Sequence, residues 1–282
     1  MDLKDIFIDG LKGVLSDLMN DALGEFDSVL GDIVSIALKA ETYMKSNMGM
    51  SFDEFYAVMY LFGIYLIILK FLKKGFNTYV LWVDGDPDME PLTMCISFFK
   101  AMVIAISFAT LFDVGVNIAE DMIDRLLNSL NNANVTIDAK LAPSAVIGLT
   151  KGGLFMVIMA AVYLILYIML WIQFIKRGLE LFVLKAGMPI ACAGLMDSDG
   201  GVFKVYVKKI VQELLTVLVQ ILFLKFSLVF MLNKHVMFGI AAISFATKAP
   251  QFLSEFIMMS SGGGGGMGKI SQASMIIRNF RK

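Results

Sequence analysis

The chain has 282 residues, of which 58% are apolar and only 17% are charged, and its net charge is −1. Soluble domains are nearer half apolar and a quarter charged, so this composition indicates an integral membrane protein and argues against a soluble enzyme. A single histidine, and two cysteines that both lie in apolar runs, argue against a zinc site or a disulfide framework.

Residues 1–52 are predicted to form an acidic amphipathic helical region. Apolar side chains recur at steps of three and four from Leu3 to Ala37, which places them in one stripe on a helix. The opposite face is rich in aspartate and glutamate, and such a surface is a poor ligand for anionic lipid. The stripe therefore favours packing against protein, either this chain's own core or a partner, over binding to the membrane surface.

Six apolar segments follow, and most approach the roughly 20 residues that a helix needs to cross a bilayer. They cover residues 55–72, 92–112, 153–175, 179–196, 210–232 and 236–259. A polar stretch with a helical piece at residues 118–130 separates the second segment from the third. A glycine-rich linker and a basic tail, residues 260–282, end the chain. The prediction is an all-α, polytopic membrane bundle over residues 53–259.

The fourth apolar segment differs from the others. Glu180 and Lys185 are costly in lipid, and Gly187 with Pro189 predicts a helix break. If all six segments crossed, the lysines after this segment and the basic tail would lie outside the cell, against the positive-inside rule. A broken or re-entrant fourth segment removes the conflict. We therefore predict about five transmembrane helices, with the N-terminus outside and the C-terminus in the cytoplasm.

Polar side chains inside the last three apolar segments are the candidate functional residues. Those of the fifth segment recur at helical spacing on one face, because Glu213, Thr216, Gln220 and Ser227 lie three, four and seven residues apart. Such residues avoid lipid, so they either line a water-filled lumen or form hydrogen bonds between helices. The full candidate set is Glu180, Lys185, Gln212, Glu213, Thr216, Gln220, Lys225, Ser227, Lys248 and Gln251.

Two of these lysines have open assignments in the sequence. Lys225 lies away from the polar face of the fifth segment and about a third of the way in from its end, so snorkelling to the membrane surface is an alternative to a buried role. Lys185 has two candidate partners, Glu180 and Glu213, and spacing does not choose between them.

Motifs for catalysis are missing from the sequence. One histidine cannot supply a serine–histidine–aspartate set, and there is no phosphate-binding loop of the G-x-x-x-x-G-K-[ST] kind. We therefore expect no enzyme activity, no cofactor and no metal site. Any transport would take its energy from a partner or an ion gradient.

Short motifs occur across the second half of the chain: Lys176-Arg177-Gly178-Leu179-Glu180, Gly187-Met188-Pro189-Ile190-Ala191, Gly194-Leu195-Met196-Asp197, Gly201-Val202-Phe203-Lys204 and Thr247-Lys248-Ala249-Pro250-Gln251-Phe252-Leu253. With these motifs the chain resembles the TrbL family over roughly residues 50–268. These proteins are the polytopic inner-membrane subunits on the VirB side of type IV secretion systems, and the resemblance is to versions in conjugative elements of Gram-positive bacteria.

The resemblance implies a channel or scaffold subunit that forms homo-oligomers in the lipid bilayer of the bacterial cytoplasmic membrane. It also implies partners, which are the other membrane subunits and the ATPases of the machine, and a role in the passage of single-stranded DNA and relaxase. It supplies no set of pore residues. The alternative from the residues alone is a small-solute or ion transporter, whose site would use the buried charges Glu180, Glu213 and Lys225.

Overall fold

The structure, a computed structural model, describes residues 33–83, 91–130, 154–197 and 200–261, with four isolated positions near the N-terminus. The α-helices of the four ranges are α1 (Ile33–Leu38), α2 (Ala40–Met48), α3 (Asp53–Val83), α4 (Pro91–Leu130), α5 (Leu154–Cys192), α6 (Gly201–Leu232) and α7 (Val236–Ser261). A 3-10 helix, Ala193–Met196, follows α5.

The last five helices, α3 to α7, are long and apolar enough to cross a membrane. This confirms the predicted all-α bundle with about five spanning helices. One helix is longer than predicted, because α4 joins the second apolar segment to the helical piece at residues 118–130 and reaches 40 residues. The polar stretch between the second and third segments therefore begins with an ordered helix.

The fourth apolar segment is the C-terminal half of α5, which runs for 39 residues without interruption. The helix continues through Gly187 and Pro189, so the break predicted there falls after Cys192 instead. Proline removes one backbone donor and strains the preceding turn, but Pro189 stands only three residues from the helix end, where little helix remains to be lost. The glycine serves a close contact, because a Cβ at position 187 would overlap the hydroxyl of Tyr206.

Helix α5 is the centre of the described bundle, since it contacts all the other helices of the four described ranges. Its neighbours α6 and α7 form an antiparallel hairpin with the most extensive contact between any two of the described elements. Gly239 permits the close approach, because a Cβ there would lie 2.7 Å from Met231 Sδ on α6. Half of the residues in the α6 span are buried, against 11% in the α3 span.

The neighbours of α5 lie at two levels along its length. Its first half contacts α6 and α7, as the pair Tyr163–Ser227 shows. Its second half contacts α3, where a Cβ added to Gly63 would lie 2.5 Å from Pro189, and the middle of α4, where Lys185 lies 3.1 Å from Asp113. We call the first level the three-helix tier (residues 154–177 of α5, with α6 and α7), and α4 continues beside it as far as Leu127, next to Lys225. The second is the hairpin tier (α3, residues 91–113 of α4 and residues 178–196).

The short helices α1 and α2 pack against the middle of α5. Ile33, Ile36, Ala37 and Leu38 are buried, so this part of the predicted amphipathic region does pack on the chain's own core. The contact needs Gly178, because a Cβ there would overlap the carbonyl oxygen of Ile36. Most of the region before residue 33, the glycine-rich linker from residue 262 and the basic tail lie outside the described residues.

Candidate functional site

A row of buried polar side chains runs along α6. Glu213, Gln220 and Ser227 are each seven residues apart, and this spacing keeps them on one face over four turns. All three are fully buried although no other chain is present. The face predicted from the sequence is therefore turned into the protein and not towards lipid.

Each member of this row meets a polar side chain of α5. Ser227 Oγ donates a hydrogen bond to the Tyr163 hydroxyl at 3.0 Å. The amide nitrogen of Gln220 donates to Gln173 Oε1 at 2.8 Å and also to the carbonyl oxygen of Ala246 on α7 at 3.3 Å. We call the three pairs Tyr163–Ser227, Gln173–Gln220 and Arg177–Glu213 the polar ladder.

The last pair of the polar ladder is the centre of an ion cluster. The Glu213 carboxylate accepts from the Arg177 guanidinium and forms an ion pair with Lys209, one turn earlier on α6. Arg177 also donates to Glu180 at 2.8 Å, and its side chain is only 11% exposed. A buried carboxylate is tolerated only with such partners, because desolvation of an unpaired charge costs several kcal/mol.

Two further candidates accompany the row without joining two helices. The Thr216 hydroxyl donates to the carbonyl oxygen of Gln212 at 2.7 Å, within α6. This bond satisfies a fully buried hydroxyl by the backbone of its own helix. Gln212 itself is half-buried and contributes only its carbonyl to this bond.

Lys225 is buried away from the ladder, with 1% of its surface exposed. Its ammonium donates to the carbonyl oxygen of Leu127, close to the C-terminal end of α4. The last carbonyls of a helix lack intrahelical donors and carry partial negative charge, which is a favourable place for a cation. The side chain thus reaches a helix end inside the protein, which the snorkelling alternative did not anticipate.

Lys185 is the candidate whose predicted partners are wrong. Its ammonium lies 3.1 Å from Glu41 on α2 and 3.1 Å from Asp113 on α4, and not beside Glu180 or Glu213. Five residues separate Lys185 from Glu180, which turns the two side chains to different faces of α5. A cavity of about 420 Å³ between α1, α2, α4 and α5 is lined in part by these three charges.

Two candidates lie outside the polar interior. Lys248 and Gln251 are exposed on α7, so within this chain neither is buried in a helix contact. A separate cavity of about 520 Å³ at the end of the hairpin tier brings together Lys74, Lys100 and Lys204 from three helices. Among the residues in the four described ranges, no three His, Cys, Asp or Glu side chains are placed to hold a metal ion.

The α5 side of the ladder was missed from the sequence. Tyr163 and Gln173 lie in the most apolar segment, and Arg177 served only to orient the chain. A signal was present, because Tyr163 and Arg177 are fourteen residues apart and so share a face. Which α5 residue meets which α6 residue still depends on how the two helices align.

Comparison with known proteins gives one match. The family model described as conjugal transfer protein TrbL matches residues 9–282, nearly the whole chain. No curated protein and no solved structure matches. The family is one of conjugal-transfer components of type IV secretion systems and not one of enzymes, and five apolar helices fit a multi-pass membrane protein. The chain belongs to the family of the conjugal transfer protein TrbL.

Proposed function

We propose that the chain is a channel or scaffold subunit in the cytoplasmic membrane and that it assists transfer of single-stranded DNA and relaxase. It would act as a homo-oligomer beside the other membrane subunits and the ATPases of the machine. The match to the TrbL family supports a role in conjugal transfer. The polar ladder is the observation that distinguishes a scaffold subunit from a channel subunit, because its α6 members are fully buried within one chain and form hydrogen bonds with α5.

This arrangement favours the scaffold role for the described part of the chain. A lumen-lining side chain would be exposed in a single subunit, whereas Glu213, Gln220 and Ser227 are not. Their bonds join α5 to α6 over a stretch of fourteen residues, about 21 Å. A polar network in an apolar bundle specifies which faces meet, which is what a subunit needs in order to hold a fixed shape.

Thiol labelling tests the scaffold role against the lumen role. The variants Gln220→Cys and Ser227→Cys, in a Cys95→Ser, Cys192→Ala background, are treated in membranes with a water-soluble maleimide. A scaffold predicts no more labelling than at lipid-facing Ile165→Cys, which occupies an exposed position. Strong labelling at both ladder positions would overturn the scaffold role. A strictly monomeric protein in mild detergent, by native mass spectrometry, would overturn both roles.

The transporter alternative lacks a shared site. Glu213 and Lys225 are twelve residues apart on α6, which is about 18 Å, and they bond to different helices. Glu180 bonds to Arg177 and so belongs to the Glu213 end. These three charges therefore do not converge on one substrate. Solute flux by the purified protein that Glu213→Gln abolishes would restore this alternative.

For orientation, we propose a cytoplasmic C-terminus. Lys176, Arg177 and Lys209 lie together at one end of the three-helix tier, and α7 ends at the same level because it runs antiparallel to α6. The positive-inside rule puts that end in the cytoplasm. An outside N-terminus requires α3 to cross the same bilayer, and it stays a prediction.

A further inference from the structure

The middle of α7 carries an exposed lysine. The helix has 26 residues, which extend about 39 Å, and it is one of the five that are long and apolar enough to cross a membrane. Lys248 lies about 18 Å from the first residue of α7, and its side chain is exposed. A four-carbon side chain is too short to bring its ammonium from there to either membrane surface. Since a charge that faces lipid at this depth is strongly disfavoured, we expect another surface to cover Lys248.

Lys248 belongs to a polar stripe on the outer side of α7. Ser244, Lys248 and Gln251 follow at steps of four and three, which puts them on one side of the helix. We call these three residues the α7 stripe. Glu255 continues the same side one turn later, at the end of α7 that we propose as cytoplasmic. In the part of the chain that the structure describes, the Lys248 ammonium has no ion-pair partner. The α7 stripe therefore carries one unpaired positive charge at its centre.

A second polar stripe, of opposite charge, lies on the C-terminal half of α4. Asn117, Asp121 and Asp124 follow at steps of four and three, and all three are exposed. We call them the α4 stripe. Arg125 flanks this stripe and pairs with Asp121 at 2.7 Å, yet the Asp121 side chain remains 61% exposed. Two carboxylates beside one guanidinium leave this side of α4 with an excess of negative charge.

Contacts with α6 give the level of the α7 stripe along the bundle. Gln220 on α6 donates to the carbonyl oxygen of Ala246 on α7 at 3.3 Å. Lys248 is two residues further along α7, which is about 3 Å. Gln220 also forms the middle rung of the polar ladder, with Gln173 on α5. The centre of the α7 stripe therefore lies close to the level of this middle rung.

The α4 stripe lies at the same level. A Cβ at Gly115 would lie 4.0 Å from a side-chain carbon of Leu214 on α6, and the carbonyl oxygen of Leu127 accepts a hydrogen bond from the Lys225 ammonium. Asp121 is midway between these two contacts along α4. It therefore lies beside the midpoint of the matching stretch of α6, which is the level of the middle rung of the polar ladder.

The two stripes also match in chemistry and order. The contacts along α6 show that α4 runs in the direction of α6 and that α7 runs against it. Antiparallel stripes with this spacing place three pairs at common levels, each to within about 4 Å. The pairs are a cation with a carboxylate, a hydroxyl with a carboxylate and two amides: Lys248 with Asp121, Ser244 with Asp124, and Gln251 with Asn117. Within the described ranges α4 and α7 have no extensive contact with each other, so the partner stripe has to come from another copy.

We propose that the α7 stripe of one copy packs on the α4 stripe of the next copy within the membrane, with Lys248 paired to Asp121. The contact would gather two carboxylates and two cations, because Arg125 stays beside Asp121, and it would remove all four charges from lipid. Two different surfaces of one subunit make a head-to-tail contact, which closes into a ring when the rotation allows. The inference rests on the homo-oligomer of the proposed function and names the surfaces that form it.

Charge exchange in the full chain tests the ion pair. Lys248→Asp places like charges opposite each other, so the dissociation constant of the oligomer in mild detergent should rise about tenfold or more, measured by native mass spectrometry over a dilution series. The double variant Lys248→Asp, Asp121→Lys restores opposite charges and should recover most of the association. Lys234→Asp, the same exchange in the exposed turn between α6 and α7, is the matched control and should leave the oligomer unchanged. A double variant that associates no better than Lys248→Asp would refute the pair.

Disulfide formation between copies tests the contact independently of charge. Copies carrying Lys248→Cys and differently tagged copies carrying Asp121→Cys are co-expressed without the native cysteines. Oxidation in membranes should join the two tags. Ile172→Cys replaces Asp121→Cys in the control, because Ile172 is 56% exposed and lies on α5 next to Gln173, at the same level of the bundle. A crosslink to position 172 in place of position 121, or no crosslink at all, would overturn the proposed contact.

The outcome is separable from that of the proposed function. The oligomeric state of the unsubstituted protein in detergent is measured by native mass spectrometry. A monomer contradicts the proposed function itself. An oligomer that persists in Lys248→Asp and forms no crosslink between positions 248 and 121 contradicts only the contact between the α7 stripe and the α4 stripe.

Discussion

At the scale of single residues, Glu213 carries the only buried carboxylate in the described part of the chain. Its carboxylate is fully buried and is paired with Arg177 and Lys209 from two directions. Removal of one partner from a buried pair leaves an uncompensated charge, which costs more than the pair contributed. The neighbouring rungs involve neutral groups, so their loss leaves no charge behind and is cheaper.

The variant Glu213→Gln should lower the free energy of unfolding by about 2 kcal/mol, because the partly buried Arg177 loses one of its two carboxylate partners and keeps Glu180. Unfolding of the purified protein in detergent, followed by circular dichroism, measures the change. The matched control is Glu255→Gln, the same exchange at an exposed position of α7. The double variant Arg177→Gln, Glu213→Gln should recover part of the loss. Equal stability of the two single variants would contradict the buried pair.

At the scale of elements, close helix crossings depend on a few glycines. Gly63 and Gly178 stand where α5 meets α3 and α1, and a Cβ at either would overlap an atom of the neighbouring helix. Polar residues add specificity to these crossings. Lys185 links α5 to α2 and α4 through ion pairs with Glu41 and Asp113. Its ammonium nitrogen lies 5.5 Å from the centre of the Tyr56 ring. The middle of α5 is thus where the tiers and the N-terminal helices are joined.

The variant Gly63→Ala should weaken the α3–α5 crossing by about 1–3 kcal/mol, the usual cost of forcing extra volume into a packed contact. Gly75→Ala, on the same helix, is the matched control, because its Cβ would meet only Met94 at 4.0 Å. There the exchange should be neutral or stabilising by up to about 1 kcal/mol, as alanine is the better helix former. Thermal unfolding measures the change in stability of both variants. A stabilised Gly63→Ala protein would show that the helices can separate without cost.

At the scale of the whole molecule, α1 and α2 are joined by ion pairs to the helices around the middle of α5. Lys39 pairs with Glu120 of α4, and Glu41 pairs with Lys185 of α5. Charge counting over five full crossings predicts that these short helices lie outside the cell, at the N-terminal end of α3.

Thiol labelling in intact cells tests the predicted outside N-terminus. Ser46→Cys, at an exposed position of α2, should react with a membrane-impermeant maleimide without permeabilisation. Lys234→Cys, in the turn between α6 and α7, is the control, and it should also react from outside because α7 leads from this turn to the proposed cytoplasmic C-terminus. Reaction of Ser46→Cys only after permeabilisation would contradict the outside N-terminus. Both variants need the Cys95→Ser, Cys192→Ala background, because the native thiols are free.

Three features could be predicted from the sequence: the class, the number of helices long enough to span a membrane and the polar face of α6. These are local properties: the length of an apolar run sets whether a helix can span, and helical periodicity sets which side chains share a face. The short motifs of the second half also sufficed for the family. The sequence did not predict that α5 is continuous. Charged residues and Pro189 inside an apolar run are typical of a helix end, and only contacts with neighbouring helices compensate their energetic cost.

Which helix faces meet, and at which level along α5, became visible only in the folded molecule. Gln220 pairs with Gln173, and Lys185 pairs with Glu41 and Asp113. These pairs require one alignment of the helices, in which the close glycine contacts and the hydrogen bonds of the buried polar groups form together. That alignment is a property of several helices at once, separated by long stretches of chain. No single segment encodes it, so the two tiers and the partners of the buried charges became visible only in the folded molecule.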